Sequence, residues 1–151
     1  APPAPTRLAS PPPADPLVDI RAFDLPPLLA LPQPPQTTWE LTAFYSRMRI
    51  GEPPRPYFPK LALAVDAATG IILAFQLATP DHTMAQAAAR NLVESIQTAG
   101  ARPAAIKMDS INLSRALQPL ANALGAELLQ VKSLPMANEA RRSLEAFNKR
   151  F

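Results

Sequence analysis

Residues 60–78 read KLALAVDAATGIILAFQLA, and this stretch decides the fold. Its first seven residues are almost entirely apolar, which is typical of a strand that is covered on both faces. Residues 68–70 form a short turn, because Gly70 can adopt the positive φ that such a turn needs. Residues 71–78 are again largely apolar and return as the hairpin partner. The stretch therefore predicts two neighbouring antiparallel strands.

The segments on either side extend this hairpin into a sheet with helices. Residues 37–46 alternate between two faces, so a strand precedes the hairpin and completes an antiparallel meander. Thr83 and Gln86 then fit a capping box that opens a helix, and Gly100 ends it. Further strands are predicted at residues 104–109 and 127–132, and further helices at 113–124 and 138–150. The order β-β-β-α-β-α-β-α predicts an α/β fold, with a mixed five-stranded sheet and helices on both faces.

Proline dominates the N-terminal part of the chain, where 16 of the 20 prolines lie within the first 59 residues. Because proline lacks a backbone N–H and fixes φ, we expect residues 1–36 to form an extended arm or linker. The α/β domain is then expected to span residues 37–151. Two apolar segments of the arm, residues 17–20 and 28–31, leave open a second alternative, in which the arm docks on the domain surface.

The composition excludes several classes of protein. The chain has no cysteine, which excludes disulfides, thiolate nucleophiles and cysteine-bound zinc, and is compatible with the cytoplasmic location that we expect. No apolar run approaches the roughly 18–20 residues that span a membrane, so we expect no membrane contact. The four glycines form no phosphate-binding loop. The net charge of +3 permits contact with nucleic acid without demanding it.

The order of elements resembles the ribonuclease H-like superfamily, and in particular the core of DDE-type integrases and transposases. Three short segments carry the local likeness: WELT at residues 39–42, LAVDAATG at residues 63–70 and KMDS at residues 107–110. The 35 residues between Asp109 and Glu145 are a further similarity, because this spacing is typical of the family. Segments between residues 56 and 135 also resemble a family of bacterial proteins that has no assigned function.

The resemblance implies a site of carboxylates that hold two Mg²⁺ ions for phosphoryl transfer on nucleic acid. The candidate catalytic residues are Asp109, Glu145, Asp66 and Glu40. The family's first acid stands in the middle of the first strand, where this chain has Thr42, and a threonine brings no negative charge to Mg²⁺. Glu40 shares that strand face but lies about 6–7 Å away along the strand. We therefore expect a degenerate site without a metal or another cofactor, and Mg²⁺ only if the protein is an enzyme.

Each of three candidate acids also has an ordinary structural explanation. Asp109 can cap the helical segment that follows it. Asp66 can accept hydrogen bonds from the amides of the turn that it precedes. Glu145 can form a surface ion pair with Lys149, four residues later on the same helix. The sequence leaves these alternatives open.

Basic residues near the C-terminus offer a second kind of site. The predicted last strand and last helix carry five of them, Lys132, Arg141, Arg142, Lys149 and Arg150. Such side chains can follow the phosphates of a nucleic acid. The last helix faces nucleic acid in integrase-like cores, so the resemblance implies possible nucleic-acid contact along this surface.

The sequence thus predicts a non-catalytic, ribonuclease H-like binding or structural module. Its expected partner is a protein that contacts the N-terminal arm, or a weakly bound nucleic acid. The alternative is a Mg²⁺-dependent nuclease or a DNA strand-transferase of the DDE type. An enzyme requires three carboxylates that share metals about 3.5–4 Å apart, whereas a binding module allows the same side chains to point apart.

Overall fold

The structure of the protein is a computed structural model, which describes residues 15–45, 59–78 and 80–148, with the backbone alone at residues 147 and 148. A 3₁₀ helix spans Ile20–Ala22. The helices and strands of the described residues are α1 (Leu25–Leu29), β1 (Thr38–Tyr45), β2 (Lys60–Asp66), β3 (Ile72–Ala78), α2 (Met84–Ala99), β4 (Ala105–Met108), α3 (Ile111–Leu124), β5 (Glu127–Gln130) and α4 (Pro135–Asn148).

The five strands form one mixed sheet in the order β3-β2-β1-β4-β5. β1 pairs antiparallel with β2, and β2 pairs antiparallel with β3. β4 lies parallel to β1, and β5 lies parallel to β4. α3 crosses over between the paired strands β4 and β5, whereas α2 carries the chain from the edge strand β3 to β4 beside β1. The predicted α/β architecture, with its leading meander, is therefore confirmed.

Helices cover both faces of the sheet. α2 and α3 pack on one face, called here the α2 face, over a core that includes Trp39, Leu41 and Ile106. α4 packs on the opposite face, called the α4 face, over Phe44 and Leu63. Because β1 and β2 are covered on both sides, their buried residues run almost without interruption along the chain.

The helix ends follow local chemistry. The hydroxyl of Thr83 accepts a hydrogen bond from the backbone N–H of Gln86 at 3.0 Å, and the Gln86 side chain accepts one from the N–H of Thr83 at 2.9 Å. This confirms the predicted capping box of α2. The Ser110 hydroxyl accepts a hydrogen bond from the N–H of Leu113, so α3 begins at Ile111, two residues earlier than expected, and continues through Pro119.

Residues 15–36 lie against α2 and α3. The side chains of Val18 and Leu28 are buried in the core of the α2 face. The Val18 N–H donates a hydrogen bond to the carbonyl of Ala116 in α3 at 2.8 Å. The Asp15 carboxylate accepts one from the N–H of Ala85 at 3.0 Å, in the first turn of α2. This segment follows the docked alternative for the arm.

The backbone of residues 15–36 also differs from the expected extended conformation, because it contains the 3₁₀ helix and α1. Pro26 and Pro27 stand in the first turn of α1, where a backbone N–H has no partner within the helix. Proline therefore permits a short helix there instead of preventing it. Residues 1–14 lie outside the described residues, and a division between an arm of residues 1–36 and a domain of residues 37–151 stays a prediction.

Two bounds near the C-terminus differ from the sequence-based expectation. β5 ends at Gln130 rather than at residue 132, and α4 begins at Pro135 rather than at residue 138. Proline is favoured at the first position of a helix, which explains the earlier start of α4. Among the helices of the described residues, none has the length and apolar character needed to cross a membrane.

Candidate functional site

The sheet places the elements of the expected site next to one another. Thr42 lies in β1 on the α4 face, since its neighbour two residues on, Phe44, packs in the core of that face. The register pairs Glu40 of β1 with Lys107 of β4, so Asp109 follows the end of β4 at about the level of Thr42. The side chain of Asp109 is exposed, and Ser110, not Asp109, caps α3.

Asp66 lies at the other end of the sheet. It pairs with Trp39, near the start of β1, whereas Asp109 is near the level of Thr42. The two aspartates are thus separated by about 10 Å along the strands and about 10 Å across them. The Asp66 Oδ1 atom accepts hydrogen bonds from the N–H groups of Ala68 and Thr69, each at 2.9 Å, and so holds the turn between β2 and β3.

Glu40 is buried on the α4 face, with 2% of its surface exposed. Its Oε1 atom accepts a hydrogen bond at 2.9 Å from the backbone N–H of Ala137, the third residue of α4. The residue that precedes α4 is Leu134, whose side chain has no oxygen that could cap the helix. Glu40 therefore supplies, from the sheet, the acceptor and the negative charge that the start of α4 lacks locally.

Glu145 is held by a cation of the same helix. The Nε atom of Arg141 lies 3.4 Å from Oε1 of Glu145, one turn earlier in α4. The guanidinium carbon of Arg141 also lies 4.0 Å from the ring centre of Phe44, so the planar cation stacks on β1. Lys149, the other suggested partner of Glu145, lies outside the described residues.

These contacts decide which carboxylates come together. A two-metal centre needs several carboxylates around the same point, and Thr42 contributes none. Within residues 15–45, 59–78 and 80–148, no group of three or more histidine, aspartate or glutamate residues is arranged so that it could hold a metal ion. Instead, Glu145 is paired with Arg141, and Glu40 is bonded to the N–H of Ala137. The described residues do not fit a shared Mg²⁺ site.

The basic residues of the C-terminal region are partly engaged with acids. Arg142 donates a hydrogen bond from Nη2 to Oε2 of Glu139 at 2.9 Å, and both side chains are exposed. Arg141 is paired with Glu145, as described above. Lys132 is exposed just after β5. The other two predicted contacts, Lys149 and Arg150, lie outside the described residues.

Two of these arrangements were not predicted from the sequence. The Glu40 bond joins residues 97 positions apart, and only the unusual Leu134–Pro135 start of α4 hinted that an acceptor must come from elsewhere. The Arg141–Glu145 pair has the helical i, i+4 spacing, which is a signal in the sequence, whereas the predicted partner of Glu145 was Lys149.

The order of the sheet and the helices on both of its faces define an α/β domain of ribonuclease H-like fold. The family model described as "Domain of unknown function (DUF6930)" matches residues 25–145, and the chain belongs to this family. Among solved structures, the chain is similar to the catalytic core domain of BIV integrase, with 16% sequence identity and a TM-score of 0.54. The match covers 72% of this chain and 66% of the integrase chain, slightly less than two thirds, and it concerns the fold. A search of curated proteins gave no match.

Proposed function

We propose that this domain is a non-catalytic, ribonuclease H-like module whose role is to bind a partner protein. The proposal rests on the contacts of Arg141, whose guanidinium stacks on Phe44 and pairs with Glu145. In a phosphoryl-transfer site of this fold, the corresponding carboxylate would serve a divalent metal. Here it neutralises a cation of the protein itself.

The other candidate acids support the same proposal. The Glu40 carboxylate is used at the start of α4, and Asp66 is used in the turn between β2 and β3. Asp109 alone is exposed at the end of its strand, and one carboxylate provides too little charge for a two-metal centre.

Nucleic acid is the less favoured partner. A surface that follows phosphates needs basic side chains that are available to the ligand. In the described part of α4, Arg141 and Arg142 each have a glutamate partner. Weak binding would fall steeply as the salt concentration rises, because it would rest on charge alone.

The test is an incubation of the full chain with Mg²⁺ or Mn²⁺ and with single- and double-stranded DNA and RNA. We expect no cleavage beyond that of a sample with a metal chelator. Metal-dependent cleavage that is lost in Asp109→Ala, and kept in the matched surface variant Asp24→Ala, would overturn the proposal. It would establish the nuclease or strand-transferase alternative instead.

A further inference from the structure

β3 forms one edge of the sheet and presents an unusually apolar strand. In the order β3-β2-β1-β4-β5, no strand of the described residues pairs with its outer side. Residues 70–78 read GIILAFQLA and contain no charged residue and no proline. Native proteins usually protect an exposed edge with lysine, proline or a short strand, because its free N–H and C=O groups can pair with another chain. The edge at β3 spans seven residues without such charges or prolines, and its one irregularity is a register shift near its start, opposite Ala64 and Val65.

On the α4 face, this edge strand carries an uncovered apolar strip. Ile72, Phe75 and Leu77 pair with Val65, Leu63 and Leu61 of β2, which belong to the core under α4. Residues directly opposite each other share a face of the sheet. The three side chains nevertheless remain 40%, 40% and 54% exposed, because α4 contacts β1 and β2 and leaves β3 open.

On the α2 face, the same edge borders a groove of about 540 Å³. Gln76 of β3 lies at one side, residues of α2 that include Arg90 and Glu94 line the groove, and the arm residues Val18 and Phe23 close the other side. A second groove of about 310 Å³ shares Gln76 and Arg90 and extends to the end of β3. A groove beside an open strand can receive the side chains of a strand that is added there.

Two cations, Arg90 and Lys60, lie next to the β3 end of the groove, near the exposed Asp81 that precedes His82. Arg90 Nη1 lies 3.1 Å from Nε2 of His82, and Lys60 Nζ donates a hydrogen bond to the carbonyl of His82 at 2.7 Å. The larger groove is lined by two acids, Asp19 and Glu94, and neither of them lines the second groove at the end of β3. Asp19 also forms an ion pair with Arg21. An acidic side chain that enters beside Gln76 would therefore meet favourable charge.

We propose that β3 binds an extended segment of a partner protein as an added sixth strand. This inference deepens the proposed function and rests on it. Side chains point alternately to the two faces of a strand. The register of β3 shifts between Ile72 and Ala74, so strict alternation holds along residues 74–78. There the segment would place apolar side chains against Phe75 and Leu77 on one face and acidic side chains toward Arg90 on the other. Main-chain hydrogen bonds to the edge provide affinity, and this alternation provides specificity.

The test uses the full chain and a labelled synthetic peptide of nine residues in which valine and glutamate alternate. Fluorescence anisotropy measures binding, and amide hydrogen exchange reports whether residues 72–78 become protected. Two control peptides accompany it, one with lysine in place of glutamate and one with proline at its central residues. We expect the glutamate peptide to bind, the lysine peptide to bind about tenfold or more weakly, and the proline peptide not to bind, since proline removes ladder donors.

Two variants assign the site on the protein. Leu77→Lys should weaken binding of the glutamate peptide about tenfold or more, because it puts a charge into the apolar strip. Ile111→Lys is the matched control, since Ile111 is 74% exposed on α3, and it should leave binding unchanged. Arg90→Glu, on the surface of α2, should shift the preference toward the lysine peptide. Circular dichroism and thermal melting verify that each variant is folded.

Two results would overturn the inference. One is the absence of binding by all peptides to the folded chain, with no added protection of β3. The other is a dimer of the free chain that Leu77→Lys dissociates in sedimentation velocity while no peptide binds, because a second copy would then occupy the edge. Neither result bears on whether the domain is catalytic, which the cleavage assay decides whatever the peptides do.

Discussion

The carboxylate of Glu40 in β1 accepts a hydrogen bond from the backbone N–H of Ala137 in α4 at 2.9 Å, across 97 positions of sequence. This bond joins the central strand to the start of the last helix. Glu40 is the acid nearest in sequence to Thr42, the position that matches the first acid of integrase-like cores. Its carboxylate has a structural role here, at the start of α4.

Two replacements of Glu40 should therefore lower the free energy of unfolding by different amounts. Glu40→Ala leaves a buried N–H of α4 without its acceptor and creates a cavity, so we expect a loss of about 2–4 kcal/mol in the free energy of unfolding. Glu40→Gln keeps an acceptor oxygen and nearly the same volume, and should lose about 1 kcal/mol. Urea denaturation measures both. Equal losses would show that the hydrogen bond to Ala137 contributes little.

The contact of Arg141 with Phe44 and Glu145 predicts a smaller effect. Arg141→Ala removes one stacked cation and one i, i+4 ion pair, which together are worth about 1 kcal/mol on a half-exposed surface. Arg142→Ala, whose partner Glu139 is exposed, is the control and should change stability by less than about 0.5 kcal/mol. A loss for Arg142→Ala as large as that for Arg141→Ala would contradict the importance of stacking on Phe44.

Two neighbouring leucines of α1 test how firmly residues 15–36 belong to the folded unit. Leu28 is 2% exposed and lies in the core of the α2 face, whereas Leu29 is 43% exposed. We expect Leu28→Ala to lower the free energy of unfolding by about 2–5 kcal/mol, as for a core leucine. Leu29→Ala should change it by about 0.5 kcal/mol or less. If the two variants melt alike, the segment is a linker that contributes no core.

The features that the sequence predicts well are those with local causes. Thr83 and Gln86 cap α2 because their chemistry acts within one turn. The hairpin of β2 and β3 follows from two apolar runs around Gly70, whose φ is 76°. The adjacent strands β3, β2 and β1 follow from the meander, and the parallel pairing of β4 with β5 follows from the helix that connects them.

The features that the sequence misses depend on contacts between distant residues. The side chain of Gln33 donates hydrogen bonds to the carbonyls of Leu124 and Gly125 at the end of α3, at 3.3 and 2.9 Å. Arg102 donates to the Leu124 carbonyl and also to that of Leu31. No periodicity of the arm indicates these bonds, because they form only when the arm lies on the finished fold. A proline-rich composition indicates an extended chain and says nothing about where that chain docks.

The start of the docked segment provides a prediction about pH. The Arg21 side chain and its backbone N–H donate to the Asp19 carboxylate, at 3.0 and 2.9 Å, and hold the pKa of Asp19 below its ordinary value. Because the pKa is lower in the folded state, this contribution to stability is present above the unfolded pKa, about 3.9, and is lost as the pH falls through the folded pKa.

Arg21→Ala removes the side-chain hydrogen bonds, the largest cause of the shift, and keeps the backbone one. We expect the pKa of Asp19 to rise toward its ordinary value without reaching it, as measured by NMR titration of the carboxyl carbon. Arg142→Ala, on a different helix, should leave this pKa unchanged. An unaltered pKa in Arg21→Ala would mean that the guanidinium does not interact with Asp19 in solution.

A final prediction concerns Thr42 of β1. Thr42→Asp introduces a carboxylate in the middle of the strand, beside the end of β4. It should still create no Mg²⁺ site, because Arg141 neutralises Glu145 and Asp66 lies at the opposite end of the sheet. We expect the melting temperature of this variant to be the same with 10 mM Mg²⁺ as with 10 mM Ca²⁺ or with a chelator at equal ionic strength.

An ion bound with a dissociation constant of about 1 mM would stabilise the fold by about 1.4 kcal/mol at that concentration, which a melting curve detects. A melting temperature that rises only with Mg²⁺ would contradict this expectation, because the single change at Thr42 would then be enough to create a metal site. The double variant Thr42→Asp/Arg141→Ala would show whether the Arg141 guanidinium limits the affinity for Mg²⁺.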